Sequence, residues 1–193
     1  PTKIVGYYER FIIYEEQKYQ ESIDRFGTNL TQRFRLKGRS YVETKSLWEY
    51  FADASEDNIQ ERSVSLKLNI DKKDDPLFTK KGFLFNGIIK SAGFGGSRAY
   101  SKIDLTFNTY YPLTKRSVFA MRIQFGKLWG WDENYDDYSF EKFYLGGSTS
   151  MRGWEVLRFS EDENNEPNGE TIRLMTNIET VSYTHLTLPT TRL

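Results

Sequence analysis

The chain has 193 residues, 27 Lys plus Arg balanced by 27 Asp plus Glu, a single His and no Cys. That length fits about one domain, the balanced charge argues against nucleic acid as a partner, and the missing cysteines exclude a disulfide framework or a Cys-ligated zinc. No run reaches the roughly 18 apolar residues of a transmembrane helix. The polar average is still compatible with a membrane barrel, whose strands alternate lipid-facing and lumen-facing residues. The 13 Tyr, 14 Phe and 4 Trp fit interfacial aromatic girdles.

Two-residue alternation predicts strands over 5–16, 29–47, 61–71, 82–92, 99–111, 117–129 and 171–180. Val64, Leu66, Leu68 and Ile70 alternate with polar residues, as do Ile103, Leu105 and Phe107, then Phe119, Met121, Ile123 and Phe125. Ile172, Leu174 and Ile178 do the same, with Thr176 as the polar member of that face. Residues 72–81, carrying Asp74-Asp75-Pro76, and 112–116 read as tight turns, whereas 48–60 and 130–170 are longer and polar. Short turns on one side and long loops on the other are the habit of outer-membrane barrels. Several strands exceed the five or six residues usual in a soluble sandwich. The fold class expected is all-β, an antiparallel meander forming part of a transmembrane β-barrel. Pro1 opens directly into a strand pattern, so the chain looks clipped at its start.

The connection 130–170 is too long for an idle link. It contains Phe143-Tyr-Leu-Gly-Gly-Ser-Thr-Ser-Met-Arg-Gly-Trp154. Gly146 and Gly147 permit positive φ and a sharp return. Arg152 offers a planar fork for a carboxylate, Gly153 leaves room beside it, and Trp154 adds a flat surface with one N–H donor. An ordinary exposed loop would explain Arg-Gly alone but not the whole word beginning at Phe143 and running through Met151 to Trp154. Its form closely resembles the loop signature of the bacterial surface antigen superfamily, the BamA/TamA assembly factors for outer-membrane proteins.

The resemblance implies a sixteen-stranded barrel of which about seven strands lie here, preceded by periplasmic domains, in the bacterial outer membrane. It implies that the loop folds back from the extracellular side into the lumen. It also implies that Arg152 meets an acidic residue on a following strand, and Glu179, in Asn177-Ile178-Glu179-Thr180, occupies the matching position. Thr180 departs from the aromatic expected there. Parity independently places Glu179 with Arg173 and Asn177 on the polar face, opposite Ile172, Leu174 and Ile178. Asp71, Asp74, Asp75, Pro76 and Gly82 resemble the family's periplasmic turn. The implied partners are the lipid bilayer, unfolded outer-membrane protein substrates, periplasmic chaperones and accessory lipoproteins. The implied activity is insertion and folding of outer-membrane proteins. A secretion pore of the same superfamily, or a barrel anchoring a fused hydrolase, is the alternative.

No enzyme site, cofactor or metal is expected in the segment. Asp132, Glu133, Asp136 and Asp137 lack the regular spacing of a calcium loop. Ser148, Thr149 and Ser150 have no histidine base apart from His185, and Gly93-Phe-Gly-Gly96 reads as a hairpin connection and not a dinucleotide loop. The stretch 160–169 reads as a solvated tip ending in an Asn168-Gly169 turn. Residues 181–193, with Val181-Ser-Tyr-Thr-His-Leu-Thr-Leu-Pro-Thr-Thr191, resemble a translated sequencing adapter. The native frame is therefore expected to end near Thr180, leaving 1–180 as the barrel segment; a genuine Thr-rich final strand is the alternative reading of the tail.

Overall fold

The computed structural model describes residues 2–15, 18–53, 59–96, 98–131, 141–148, 150–162, 165 and 167–182. They form one antiparallel sheet of eight strands, each hydrogen-bonded to its sequence neighbour. The strands are β1 (Thr2–Glu15), β2 (Lys18–Arg35), β3 (Tyr41–Asp53), β4 (Ile59–Asp71), β5 (Gly82–Ala92), β6 (Tyr100–Pro112), β7 (Ser117–Gly130) and β8 (Ile172–Ser182).

From β4 onward the strands match the expected ones to within two residues at each end. The first part of the chain differs. The strand expected over 29–47 is two strands, β2 and β3, folded about a turn closed by Leu36 N–H donating to Ser40 O at 2.9 Å. Gly38 sits in that turn at φ 73°. Alternation hides it, because Phe34 and Leu36 carry the apolar parity into the turn. The stretch 18–28, which lies outside the expected strands, is the first part of β2. Val181 and Ser182 extend β8 and pair with Val118 and Ser117, so the boundary set at 180 falls inside a strand. Residues 183–193, with His185, lie outside the described residues.

Register gives the sheet two unlike faces. Leu66 pairs with Ile89 and Ile89 with Ile103. Phe107 pairs with Ile123, Leu105 with Phe125, and Phe125 with Leu174. Directly paired residues share a face, so the expected apolar sets of β6 and β7 lie together. A one-residue slip would send either set to the other side. The apolar face continues through Val42, Phe34, Leu30 and Ile4 to the β1 edge. Ile4, Leu30, Phe34, Leu66, Ile89 and Leu174 are all exposed on it. An apolar surface running across eight strands exceeds what a soluble monomer leaves in water. Strands of 11 to 18 residues exceed the roughly 9–11 that a tilted strand needs to cross hydrocarbon, so this is the lipid-facing surface.

The opposite face carries Lys67, Asn69, Asn86, Lys102, Asp104, Asn108, Arg122 and Arg173. Turns 36–40, 72–81 and 113–116 lie at one end of the sheet, and the 93–99 and 131–171 connections lie at the other. Among the described residues no helix is long and apolar enough to cross a membrane, which says nothing of a barrel.

Candidate functional site: a loop bound to the polar face

Alternation places Glu61, Lys90, Tyr100 and Lys102 on the polar face near the end where the long loop leaves. The chain returns there at Glu141. Lys102 Nζ donates to the Glu141 carbonyl at 2.6 Å and to its carboxylate at 2.8 Å. Lys90 Nζ lies 2.7 Å from the carboxylates of both Glu141 and Glu61. The Tyr100 hydroxyl, fully buried, is 3.0 Å from each of the same two groups. Burial works to raise the Glu141 carboxyl, but Lys90 and Lys102 outweigh it and hold the group below the usual range, so it is ionised at neutral pH.

Two residues further on, the Phe143 ring lies on Gly126 of β7. A Cβ there would overlap the ring. Lys102 Nζ and the Arg173 guanidinium each sit 4.7 Å from the ring centroid, within cation–π range. Arg173 also reaches Asp104 at 2.7 Å. Phe143 and Glu170 exchange backbone hydrogen bonds at 2.8 and 3.0 Å, which ties the two ends of the loop together over the sheet.

Beyond this root the loop is held by its own backbone. Gly146 and Gly147 have φ of 129° and 84°, and a side chain at Gly146 would strike the Glu155 carbonyl. The Gly147 N–H donates to Trp154 O at 3.1 Å, and the Phe159 N–H to Leu145 O at 3.0 Å. Ser150 Oγ accepts from the Gly146 N–H and donates to the Gly146 carbonyl. This fold presents Arg152, whose Nη2 lies 2.9 Å from Glu179 Oε1. Asn177 Nδ2 donates to Ser150 O at 3.3 Å. Glu179 is seven residues down β8 from Ile172, about 23 Å at the strand rise, so the tip reaches far along the polar face. A cleft of about 390 Å³ lies under it, bounded by Asn108, Arg122, Ser150, Arg152, Asn177 and Glu179.

Arg152 and Glu179 stand open, with side chains 72% and 43% exposed, where ion pairs contribute at most about 1 kcal/mol. Gly153 has φ 92° with open space where a Cβ would be. Its glycine therefore serves the backbone angle and not the room beside the arginine. Trp154 packs edge-on to Phe159 with centroids 5.1 Å apart. Met151 is half-buried between them and Ser150 along the chain. In the acidic stretch the left-handed residue is Asn165, φ 60°, and Gly169 is buried against Lys142 and Tyr144. The Asn-Gly turn expected at 168–169 is thus displaced, because that glycine is used for close packing.

The turn 72–81 is built from its carboxylates. Asp71 receives Nε and Nη2 of Arg39 at 3.0 and 3.1 Å, linking it to the neighbouring turn. Asp74 Oδ1 accepts the N–H groups of Asp75, Lys80 and Lys81. Asp75 Oδ1 accepts those of Leu77 and Phe78, both at 2.8 Å. Pro76 follows, and Gly82 at φ 110° passes against the Lys72 carbonyl, where any side chain would collide. Every carboxylate here is occupied in holding backbone, which gives the cluster a structural role.

The N–H groups of Phe78 and Leu77 hold the Asp75 carboxyl below its ordinary value. Its contribution is present above the unfolded carboxylate pKa and is lost as pH falls through the depressed folded one. Amide exchange at Leu77 and Phe78 should therefore accelerate, relative to strand amides, on acidification below the ordinary carboxylate range. Unchanged relative protection at low pH would rule out the carboxylate cap.

Glu141, Gly126 and Arg39 were not among the residues singled out in the sequence. Glu141 and Gly126 acquire meaning only when loop and sheet meet. Arg39, following Lys37-Gly38, was hidden by the undivided strand expected there. The acidic residues 132–138 and Thr149 lie outside the described residues. Among the described residues no cluster of His, Asp and Glu is arranged to hold a metal.

A lipid-facing antiparallel meander whose polar face binds a long returning loop defines a segment of a transmembrane β-barrel. The family model described as the Omp85 superfamily domain matches residues 10–188, and the chain belongs to this superfamily of outer-membrane barrels. It is 30% identical over 95 residues to the sorting and assembly machinery component 50 homolog of Mus musculus, an alignment covering 49% of this chain and 20% of that protein. The crystal structure of BamA from Haemophilus ducreyi lacking POTRA domains 1–3 superimposes with a TM-score of 0.70 at 15% identity, over 93% of this chain and 41% of that one. The chain thus spans a minor part of the length of each.

Proposed function

We propose that the intact protein is an assembly factor that inserts and folds β-barrel proteins in the bacterial outer membrane. The observation that carries this reading is the loop 141–170, bound at its root by Glu141 and Phe143 and presenting Arg152 to Glu179 on the inner face. The match to a sorting and assembly machinery component supports the same direction. Its partners are the lipid bilayer and unfolded outer-membrane proteins, served by periplasmic chaperones and accessory lipoproteins. The work is mechanical: an exposed sheet edge can template an incoming strand by β-augmentation. The loop segment described here keeps the inner face ordered while that happens, with Arg152 and Glu179 as its distal contact and the 72–81 turn as a fixed rim.

The full-length protein in liposomes should accelerate folding of an added outer-membrane barrel substrate. Arg152→Ala and Glu179→Ala should each slow that folding and expose 141–160 to protease, with the double variant no worse than either single one. Additive effects would separate the two residues. Liposomes that release a soluble passenger but do not speed barrel folding would favour the secretion pore.

A further inference from the structure

On β3 to β8 the outward-facing strand positions carry two charged residues, Arg62 and Lys127, and both are cations. Each caps the apolar band of its strand at the end where the long loop leaves. Arg62 precedes Val64, Leu66, Leu68 and Ile70 on the same face of β4, and Lys127 follows Phe119, Met121, Ile123 and Phe125 on β7. Each also stands by a tryptophan: Arg62 pairs directly with Trp48, and Trp129 is the next outward residue after Lys127. Tryptophan at the end of an apolar band marks the headgroup level of a bilayer.

Arg62 has more than position. A cleft of about 390 Å³ lies beside it, walled by Trp48, Val64 and Phe94, and Trp48 and Phe94 are exposed. The guanidinium rests against the 93–96 turn, where a Cβ on Gly95 would lie 3.1 Å from Nη1. Its hydrogen-bond partner among the described residues is the neutral amide of Gln60 at 3.4 Å, and no carboxylate occupies an outward position of β4 or of the strands on either side of it, β3 and β5. A guanidinium held at the hydrocarbon edge is weakly hydrated and offers two parallel donors suited to a phosphate.

We propose that Arg62 and the cleft of Trp48, Val64 and Phe94 form a binding site for an anionic lipid. The phosphate occupies the guanidinium fork, and an acyl chain runs down the cleft over Val64. The site is independent of the loop on the inner face and stands whether the protein assembles barrels or exports a passenger.

The test uses the full-length protein in nanodiscs of phosphatidylcholine containing a minor fraction of phosphatidylglycerol, with retained lipid identified by native mass spectrometry after mild extraction. Wild type should retain phosphatidylglycerol over phosphatidylcholine by about tenfold, the value of one charge-assisted contact. Arg62→Gln should abolish the preference, Arg62→Lys should keep part of it, and Lys115→Gln, in a turn at the opposite end, should leave it intact. Heat-modifiable gel mobility checks that each variant is folded. Equal retention of the two lipids by wild type, or an unchanged preference in folded Arg62→Gln, overturns the proposal.

Discussion

Glu141→Ala is expected to release the loop from the sheet at its root, at a cost of about 2–4 kcal/mol. The carboxylate is largely buried and shared between Lys90, Lys102 and the Tyr100 hydroxyl. Removing it leaves two ammonium groups facing each other on a face that the loop shields from water. Lys90 keeps Glu61 at 2.7 Å, whereas Lys102 keeps the Glu141 carbonyl and the Phe143 ring, and both contacts depend on the loop staying in place. Protease cleavage between 145 and 160 should rise more for Glu141→Ala than for Arg152→Ala, since the distal pair is exposed and the root is not. Glu141→Gln should fall between, because an amide still accepts one hydrogen bond but balances no charge. If Arg152→Ala frees the loop more than Glu141→Ala does, the distal contact is the stronger anchor and the ranking by burial is wrong.

The second large effect is expected at Gly126. Alanine there would place a methyl group 2.4 Å from Cζ of Phe143, so either the ring leaves its seat or the strand shifts. Displacing a packed aromatic costs about 3–5 kcal/mol, and forced overpacking about 1–3 kcal/mol. The cations on either side of the ring, Lys102 and Arg173, would lose their π-face at the same time. Amide exchange at Phe143 and Glu170, which bond to each other across the loop's ends, should accelerate sharply, while the β5–β6 ladder stays protected. Phe143→Ala should open the same amides, and Gly126→Ala added to Phe143→Ala should cost little more, since the clash has gone. A fully additive double variant would show that ring and glycine do not share a site.

Both residues show where reading a one-dimensional pattern stops. Period-2 alternation is a local property, and it determined the all-β class, the unlike faces and most strands from β4 onward. It also put Glu179 on the inner face, because parity within one strand needs no partner to be known. It fails where the parity runs unbroken through a turn, as at Phe34 and Leu36 before Gly38, so that the end of β2 and the start of β3 read as one strand. The glycines of the loop word were legible because positive φ leaves a signature in residue type, although Gly153 proved to serve φ and Gly169 close packing.

Only the tertiary structure decided which residues hold the loop. Glu141 is one acidic residue among 27 Asp and Glu, and nothing nearby in sequence marks it. Its partners Lys90 and Lys102 are separated from it by 51 and 39 residues, and they converge only because β5 and β6 are paired in one register. The same holds for Gly126 under Phe143, and for Trp48 beside Arg62, which the pairing of β3 with β4 brings together. Contacts across a sheet depend on register, and register is settled by the burial of whole faces together and not by any single segment of chain.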